Sequence, residues 1–505
     1  MINFIPNDPL TLDILPMRKV AAKPDRKANT AGITVASNTP EGRYKLGDAD
    51  FVPWQARQAA ILAIEAWEEV LGTPLRSWAA LSANPASLML IPDAGEKVNA
   101  FYNRESLSFF HNTQGRRTTY SGASTDCVSH ETGHAILDSF RPDLWAINML
   151  EVAGFHEAFG DVTALITALS DRPTREALLK ITPDLSKANF VEALLEDLAD
   201  NVRRVAGASH SASKPRRALN TFQWQLPQTM PKDGPPNVMI AEVHSIGRII
   251  VGCFYDVLRG IFTASGKPTQ ARLWDAAKTA AFLFHEGART APAVPRFFRA
   301  VGRAMVLADG IINDGAHSHV IGQAFFNHGL ALGAQSFLAP ELALAGNSPH
   351  LSMDAVNLAP ATLTDLRHRV GAHGRASTRV TAVELGGEHM ANVSIRHEVP
   401  LGKIDRRLRD VVASVDSVAL VGESGGVAAL MAAPRQGAAT DEVLDFVGSL
   451  VTHEQIAFDT PAKKKKRGAV ADEVDAGPPA THAVKKRGKK SELLRVAFSC
   501  GHHGH

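Results

Sequence analysis

Two histidines one helical turn apart, with a glutamate directly after the first, constrain this chain more than any other stretch: His130-Glu131-Thr132-Gly133-His134. On a helix, residues four apart leave the same face, so both imidazoles can grip one divalent ion. Glu131 then stands beside that ion, where it can take a proton from a metal-activated water. Such a helix needs a packed partner to supply the remaining ligand. Twenty-three residues after His134, inside an apolar-periodic stretch, Glu157-Ala-Phe-Gly-Asp161 puts two carboxylates on one helical face. A second helix there could offer Glu157 as third ligand, giving a His₂Glu set suited to Zn²⁺ with the fourth position open to water. Asp161, one turn on, is placed to accept the free ring N–H of a ligand histidine, His130, and so to fix its tautomer.

A chain of 505 residues exceeds one compact core and implies roughly two to four domains. Apolar residues at 45% and charged residues at 21% exclude disorder throughout. The net charge of +2 hides an asymmetry, because residues 461–505 carry 11 Lys/Arg against 4 Asp/Glu while the rest is slightly acidic. Three cysteines, Cys127, Cys253 and Cys500, are too few for a disulfide framework. Cys127 and Cys253 read as small buried residues, and Cys500 belongs to a flexible Cys-Gly-His-His-Gly-His end. No basic region leads into an apolar run at the start, and no stretch of 18 apolar residues occurs. The expectation is a cytoplasmic protein without a membrane span, non-classical secretion being the alternative.

The pattern along the chain predicts an α+β protein in five parts. Residues 1–40 mix Pro, Asn, Asp and Lys without period and read as an extended arm. Residues 41–140 form an α/β lobe: a helix closed by Gly72, then strand-like SLMLI, VNAFY and LSFFH in an antiparallel-looking region, then the helix of the two histidines. Residues 141–338 are helical, 339–460 a small accessory α/β module of short Val/Ala/Leu runs, and 461–505 a disordered basic tail. Lys463–Arg467 and Lys485–Lys490 in that tail suit weak contact with a polyanion, and no aromatic residues interleave with them.

At this point the residues resemble the thermolysin-like gluzincin zinc metallopeptidases, whose order and spacing the chain follows over about residues 45–336. Asn99-Ala100-Phe101-Tyr102 is similar to that family's Asn-Ala-Phe-aromatic edge strand, which implies that Asn99, Ala100 and Tyr102 pair with an extended peptide substrate. Asp126 also matches. Val243-His244-Ser245 before a long apolar helix resembles the segment of the second catalytic histidine, which implies that His244 stabilises the oxyanion. Arg217 is similar to an arginine that holds substrate and site together. The resemblance implies a two-lobe fold with the metal cleft between an α/β N-terminal lobe and a helical C-terminal lobe, and hydrolysis of peptide or protein substrates with Glu131 as general base.

Several positions depart from the family. Asn148 stands where a tyrosine, nine residues before the ligand glutamate, would share oxyanion stabilisation. Met239 stands where an acid would orient the second histidine, with Asp233 as a substitute, and Ala168 where a carboxylate would help bind calcium. Asn148 favours a second reading, a zinc-holding pseudo-peptidase acting as a binding protein. A third comes from another catalytic class: Gly422-Glu423-Ser424-Gly425-Gly426 fits G-x-S-x-G after a strand-like SVALV, with Asp445 and His453 as partners for a Ser424 hydrolase.

Overall fold

The computed structural model describes residues 1–79, 82–264, 266–291, 293, 295–333, 358–369, 372, 376–385, 388–422, 427–431, 437–458, 480–487 and 490–500, and they form a mixed α+β protein. The first helical period gives α1, Phe51–Leu71, which Gly72 ends in the left-handed region at φ 66°. A residue without Cβ takes that conformation at least cost, so the helix stops there. Ala56, Ala60, Ile64 and Trp67 bury its inner face.

Beside α1 lies a five-stranded sheet in the order Phe498–Ser499, Ala100–Tyr102, Ser106–Phe109, Ser87–Ile91, Gly32–Val35. The antiparallel expectation holds only for the pairings of Ala100–Tyr102; Ser87–Ile91 runs parallel to both its neighbours. Residues 1–40 are not an extended arm. Gly32–Val35 is a sheet strand, Ile2–Phe4 pairs with Arg18–Val20, and Ile5 packs against Phe51 and Ala123. Polar side chains hold this segment as firmly as apolar ones: Asn7 Nδ2 donates to Asp126 Oδ1 at 2.8 Å and Gln55 Nε2 to the Ile5 carbonyl at 3.0 Å.

The helical part follows as α2 (Thr125–Phe140), α3 (Leu150–Ser170), α4 (Arg172–Ile181), α5 (Glu196–Ala206), α6 (Val243–Ala264), α7 (Gln270–Thr290), α8 (Phe297–Ile312) and α9 (Ser318–Asn327). Ser124 caps α2 by accepting from the Cys127 amide. Every residue of α3 from Leu150 to Leu169 is buried, which makes it the central helix of this part. No helix among the described residues is long and apolar enough to cross a membrane.

A second, seven-stranded sheet runs Thr378–Leu385, Glu388–Pro400, Val411–Gly422, Lys490–Arg495, His482–Arg487, Ile456–Ala457, with Val427–Met431 also on Val411–Gly422. Leu366, Ala391, Val393, Ile395, Ala419 and Val421 give it a small core of its own. The accessory module therefore does not end at 460, and residues 480–487 and 490–500 are not a disordered tail. Their basic composition masks cross-strand pairs such as Val484 with Leu493 and His482 with Arg495, and Leu493 is fully buried. Lys485 and Lys486 lie exposed on a strand and Lys490 pairs with Glu398, so these lysines belong to the sheet rather than to a disordered end. The Lys463–Arg467 cluster lies outside the described residues, as does Ser424. The strands flanking Ser424 pair antiparallel with each other, whereas a nucleophile elbow leads from strand into helix.

Candidate metal centre

Glycines set the approach of the three helices that carry the site. Gly133 sits between the two histidines, and a Cβ there would lie 2.6 Å from Thr163 Oγ1 and 2.8 Å from Gly160 Cα. A Cβ on Gly160 would come within 2.7 Å of the His130 ring. Where α3 meets α6, a Cβ on Gly247 would lie 2.8 Å from the Gly154 carbonyl oxygen. Without these side chains the backbones pack closely enough for α2 to present His130 and His134, α3 to present Glu157, and the first turn of α6 to present His244.

The ligand atoms converge. His130 Nε2 lies 3.3 Å and His244 Nε2 3.2 Å from Glu157 Oε2, and His134 Nε2 lies 3.8 Å from Glu157 Oε1. Cys500 Sγ is 4.0 Å from Glu157 Oε2, and one ligand atom from each of His130, His134, Glu157 and Cys500 fits within 4.8 Å of all the others. A tetrahedral ion with bonds of about 2.0–2.3 Å separates its ligands by about 3.3–3.8 Å, close to these spacings. Where the expectation leaves the fourth position open to water, the thiol of Cys500, which follows the Phe498–Ser499 strand of the first sheet, stands close to the other three donors. Its sequence context, a short Gly/His-rich end, gave no sign that the preceding residues would form a strand.

The donor set fits a metal on a further ground. His130 Nε2, His134 Nε2, His244 Nε2 and both Glu131 carboxylate oxygens are buried without a hydrogen-bond partner. Leaving one buried polar group unsatisfied costs about 1–3 kcal/mol, so four such groups, three imidazoles and one carboxylate, are suited to an ion and its water.

Groups behind the ligands fix their orientation. His130 Nδ1 lies 2.8 Å from Asp161 Oδ1, as the spacing suggested, which leaves Nε2 as the lone-pair atom. Arg216 Nε donates to Asp161 Oδ2 at 2.9 Å. Against the upward pull of burial, Arg216 and His130 hold the Asp161 carboxyl well below the usual range. Arg217 is not the arginine of the site: it is half-exposed and pairs with Glu192, while Arg216 points inward. Adjacent residues on the short strand Arg216–Arg217 face opposite sides, so a one-residue difference in alignment exchanges the roles.

Two positioning residues were missed by sequence reasoning. Glu242 Oε1 accepts from His244 Nδ1 at 2.6 Å, doing what neither Met239 nor Asp233 does. Its signal was an acid two residues before the histidine. His156 Nδ1 lies 3.0 Å from His134 Nδ1, and for His134 Nε2 to keep a lone pair, His134 Nδ1 must donate to His156. Burial pushes the Glu131 carboxyl up to about 7, whereas at His244 the carboxylates of Glu157 and Glu242 outweigh burial and hold the imidazole up at about 9.

The edge-strand residues are divided. Asn99 and the Ala100 backbone border the centre: Cys500 N–H donates to the Ala100 carbonyl at 3.0 Å and Ser499 Oγ to Asn99 Oδ1 at 2.9 Å. The Tyr102 side chain turns away and donates to Asp138 Oδ2 at 2.9 Å, leaving only its backbone on the edge. Asn148 is buried and its amide approaches the Leu493 carbonyl at 3.4 Å. A cleft of about 320 Å³ opens beside the centre, with Leu198, Val202 and Ile240 on its apolar side and Arg216, His244 and Cys500 on its polar side.

No protein-family model matches this chain, and no curated protein matches it.

Proposed function

We propose that this chain is a zinc-dependent peptidase of thermolysin-like, two-lobe organisation. The observation that carries the reading is the convergence of His130, His134 and Glu157 beside an unpartnered, buried Glu131. His130 Nε2, His134 Nε2 and Glu157 would hold the ion. Bound zinc supplies Lewis acidity toward a scissile carbonyl and makes a nearby water nucleophilic at neutral pH. Glu131 takes the proton of the attacking water and passes it to the leaving amine. His244, with Nδ1–H committed to Glu242, turns Nε2–H toward the developing oxyanion. The substrate is an extended peptide paired with Ala100–Tyr102 in the place that Phe498–Ser499 takes in the structure, with an apolar side chain in the Leu198–Val202–Ile240 recess.

The test combines metal analysis with an unbiased peptide-library digest. One zinc per chain is expected, lost in Glu157→Ala. Chelator-sensitive cleavage is expected to fall by about 10²–10⁴ in Glu131→Gln while zinc stays bound. Zinc-free protein would overturn the reading.

A second reading, a zinc-holding pseudo-peptidase, is favoured by Cys500 at the fourth corner, since closed four-ligand sites are typically structural. It predicts stoichiometric zinc with no cleavage of any pool, even in Cys500→Ala.

A further inference from the structure

The strand that should receive substrate is already covered by this chain. Phe498–Ser499 pairs antiparallel with Ala100–Tyr102, Phe498 opposite Tyr102 and Ser499 opposite Phe101. The Cys500 N–H continues the ladder to the Ala100 carbonyl, at 3.0 Å. The next atom group along the chain is the thiol, whose Sγ stands within 4.0 Å of Glu157.

We propose that Phe498–Cys500 is a built-in occupant of the substrate cleft and that Cys500 is the fourth protein ligand of the metal, so that the chain as described is the closed form of the peptidase. This rests on the metal-peptidase reading above. Three independent features hold the segment. Its backbone adds a strand to the sheet edge, the mode by which extended peptides are recognised. The Phe498 ring stacks on His156 at 3.9 Å and on His134 at 4.8 Å between centroids, and the Arg495 guanidinium carbon lies 4.1 Å from the centre of the Phe498 ring. Behind it, Trp145 Nε1 donates to the Arg495 carbonyl at 3.1 Å and Asn148 reaches the Leu493 carbonyl.

Asn148 acquires a reason from this arrangement. It stands where the resemblance calls for a tyrosine acting on the reacting carbonyl, and here it helps to anchor the hairpin that carries the occupant. Thiolate is also a strong zinc ligand, and a tethered one competes at high effective concentration with any free peptide. Opening requires the thiolate to leave the ion and the strand to peel from Ala100, after which an extended peptide takes the same backbone partners.

The test uses the full chain, loaded with zinc under reducing conditions, as wild type, Cys500→Ala and Phe498→Ala/Cys500→Ala. Zinc-edge X-ray absorption on wild type should show one sulfur at about 2.3 Å among nitrogen and oxygen ligands at about 2.0–2.2 Å. In Cys500→Ala the sulfur should vanish with zinc still stoichiometric. The double variant should lose zinc to a chelator faster than wild type and cleave a peptide library about tenfold faster or more, as expected when a closed fraction above nine-tenths is released. Stoichiometric zinc with nitrogen and oxygen ligands alone in wild type would overturn this inference and leave the peptidase reading standing. Sulfur ligation with unchanged chelator kinetics and cleavage in the double variant would overturn the occupant role. Absence of zinc from all three proteins would overturn both readings together.

Discussion

The helices α2 and α3 and the late strand Phe498–Ser499 contribute to one centre by opposite routes. On α2 and α3 the chemistry is local: His130, His134, Glu157 and Asp161 are set by turn-length spacings, and two glycines let the helices meet. The strand contributes one atom, the Cys500 Sγ just beyond its end, and the residues leading into it, Lys490–Arg495, carry no motif. A ligand set within helices is fixed by helical period. A ligand on a late strand is fixed only by register against a distant partner, in this case Ala100–Tyr102.

That contrast can be broken by mutation. The largest effect is expected at the helix crossing: Gly160→Ala places a Cβ within 2.7 Å of the His130 ring, so the helices must separate. Overpacking of this kind costs about 1–3 kcal/mol, and zinc binding should be lost or severely weakened by titration calorimetry. Zinc retained at wild-type affinity would show that the crossing does not govern the site. Asp161→Asn comes next. It removes the carboxylate behind His130 and should lower zinc affinity about 10–100-fold, read by competition with a chromophoric chelator.

Val393→Ala addresses the second sheet, whose strand Lys490–Arg495 leads into Phe498–Ser499. Val393 lies opposite Ala419 in the small core of the second sheet, and the cavity should cost about 1–2 kcal/mol in denaturant unfolding. Zinc should remain bound through His130, His134 and Glu157, so loss of zinc in this variant would make the sheet a structural requirement of the centre rather than a cover.

The smallest effect is a pH dependence at the start of α5, where Asp8 of the N-terminal segment meets Glu196 and Asp197. Burial pushes the carboxyls of Asp8 up to about 6 and of Asp197 and Glu196 up to about 7. An acid whose folded pKa is raised contributes stability that is full below its unfolded pKa, near 4, and is lost as pH rises through the folded value. Glu196→Gln should therefore melt slightly above wild type at pH 8, with the gap closing by pH 4. Solvent screening at this partly exposed side chain keeps the gain to about 1 kcal/mol or less. A gap that widens toward acid would reverse the assignment.

Much of the centre was legible because helical period is a property of the local chain. His130, Glu131, His134, Glu157 and the role of Asp161 follow from side chains repeating every turn, and α1 with its Gly72 stop follows from apolar spacing and one left-handed residue. Glu242 is as local as these, two residues before His244, but it lies outside the five-residue spacing that the family resemblance implies. The Arg216 and Arg217 exchange shows the limit on strands, where a shift of one residue reverses the facing side.

Sequence by itself determined that two imidazoles, a carboxylate and a base would share helical faces, because covalent geometry and the helical repeat carry that information within a few residues. Tertiary structure alone decided that the first forty residues dock, that the basic segment becomes strands, and that Cys500 stands beside His130, His134 and Glu157. Each of these depends on hydrogen-bond ladders and buried contacts between segments up to 400 residues apart, as between Asn99 and Ser499, and no local pattern encodes such a pairing.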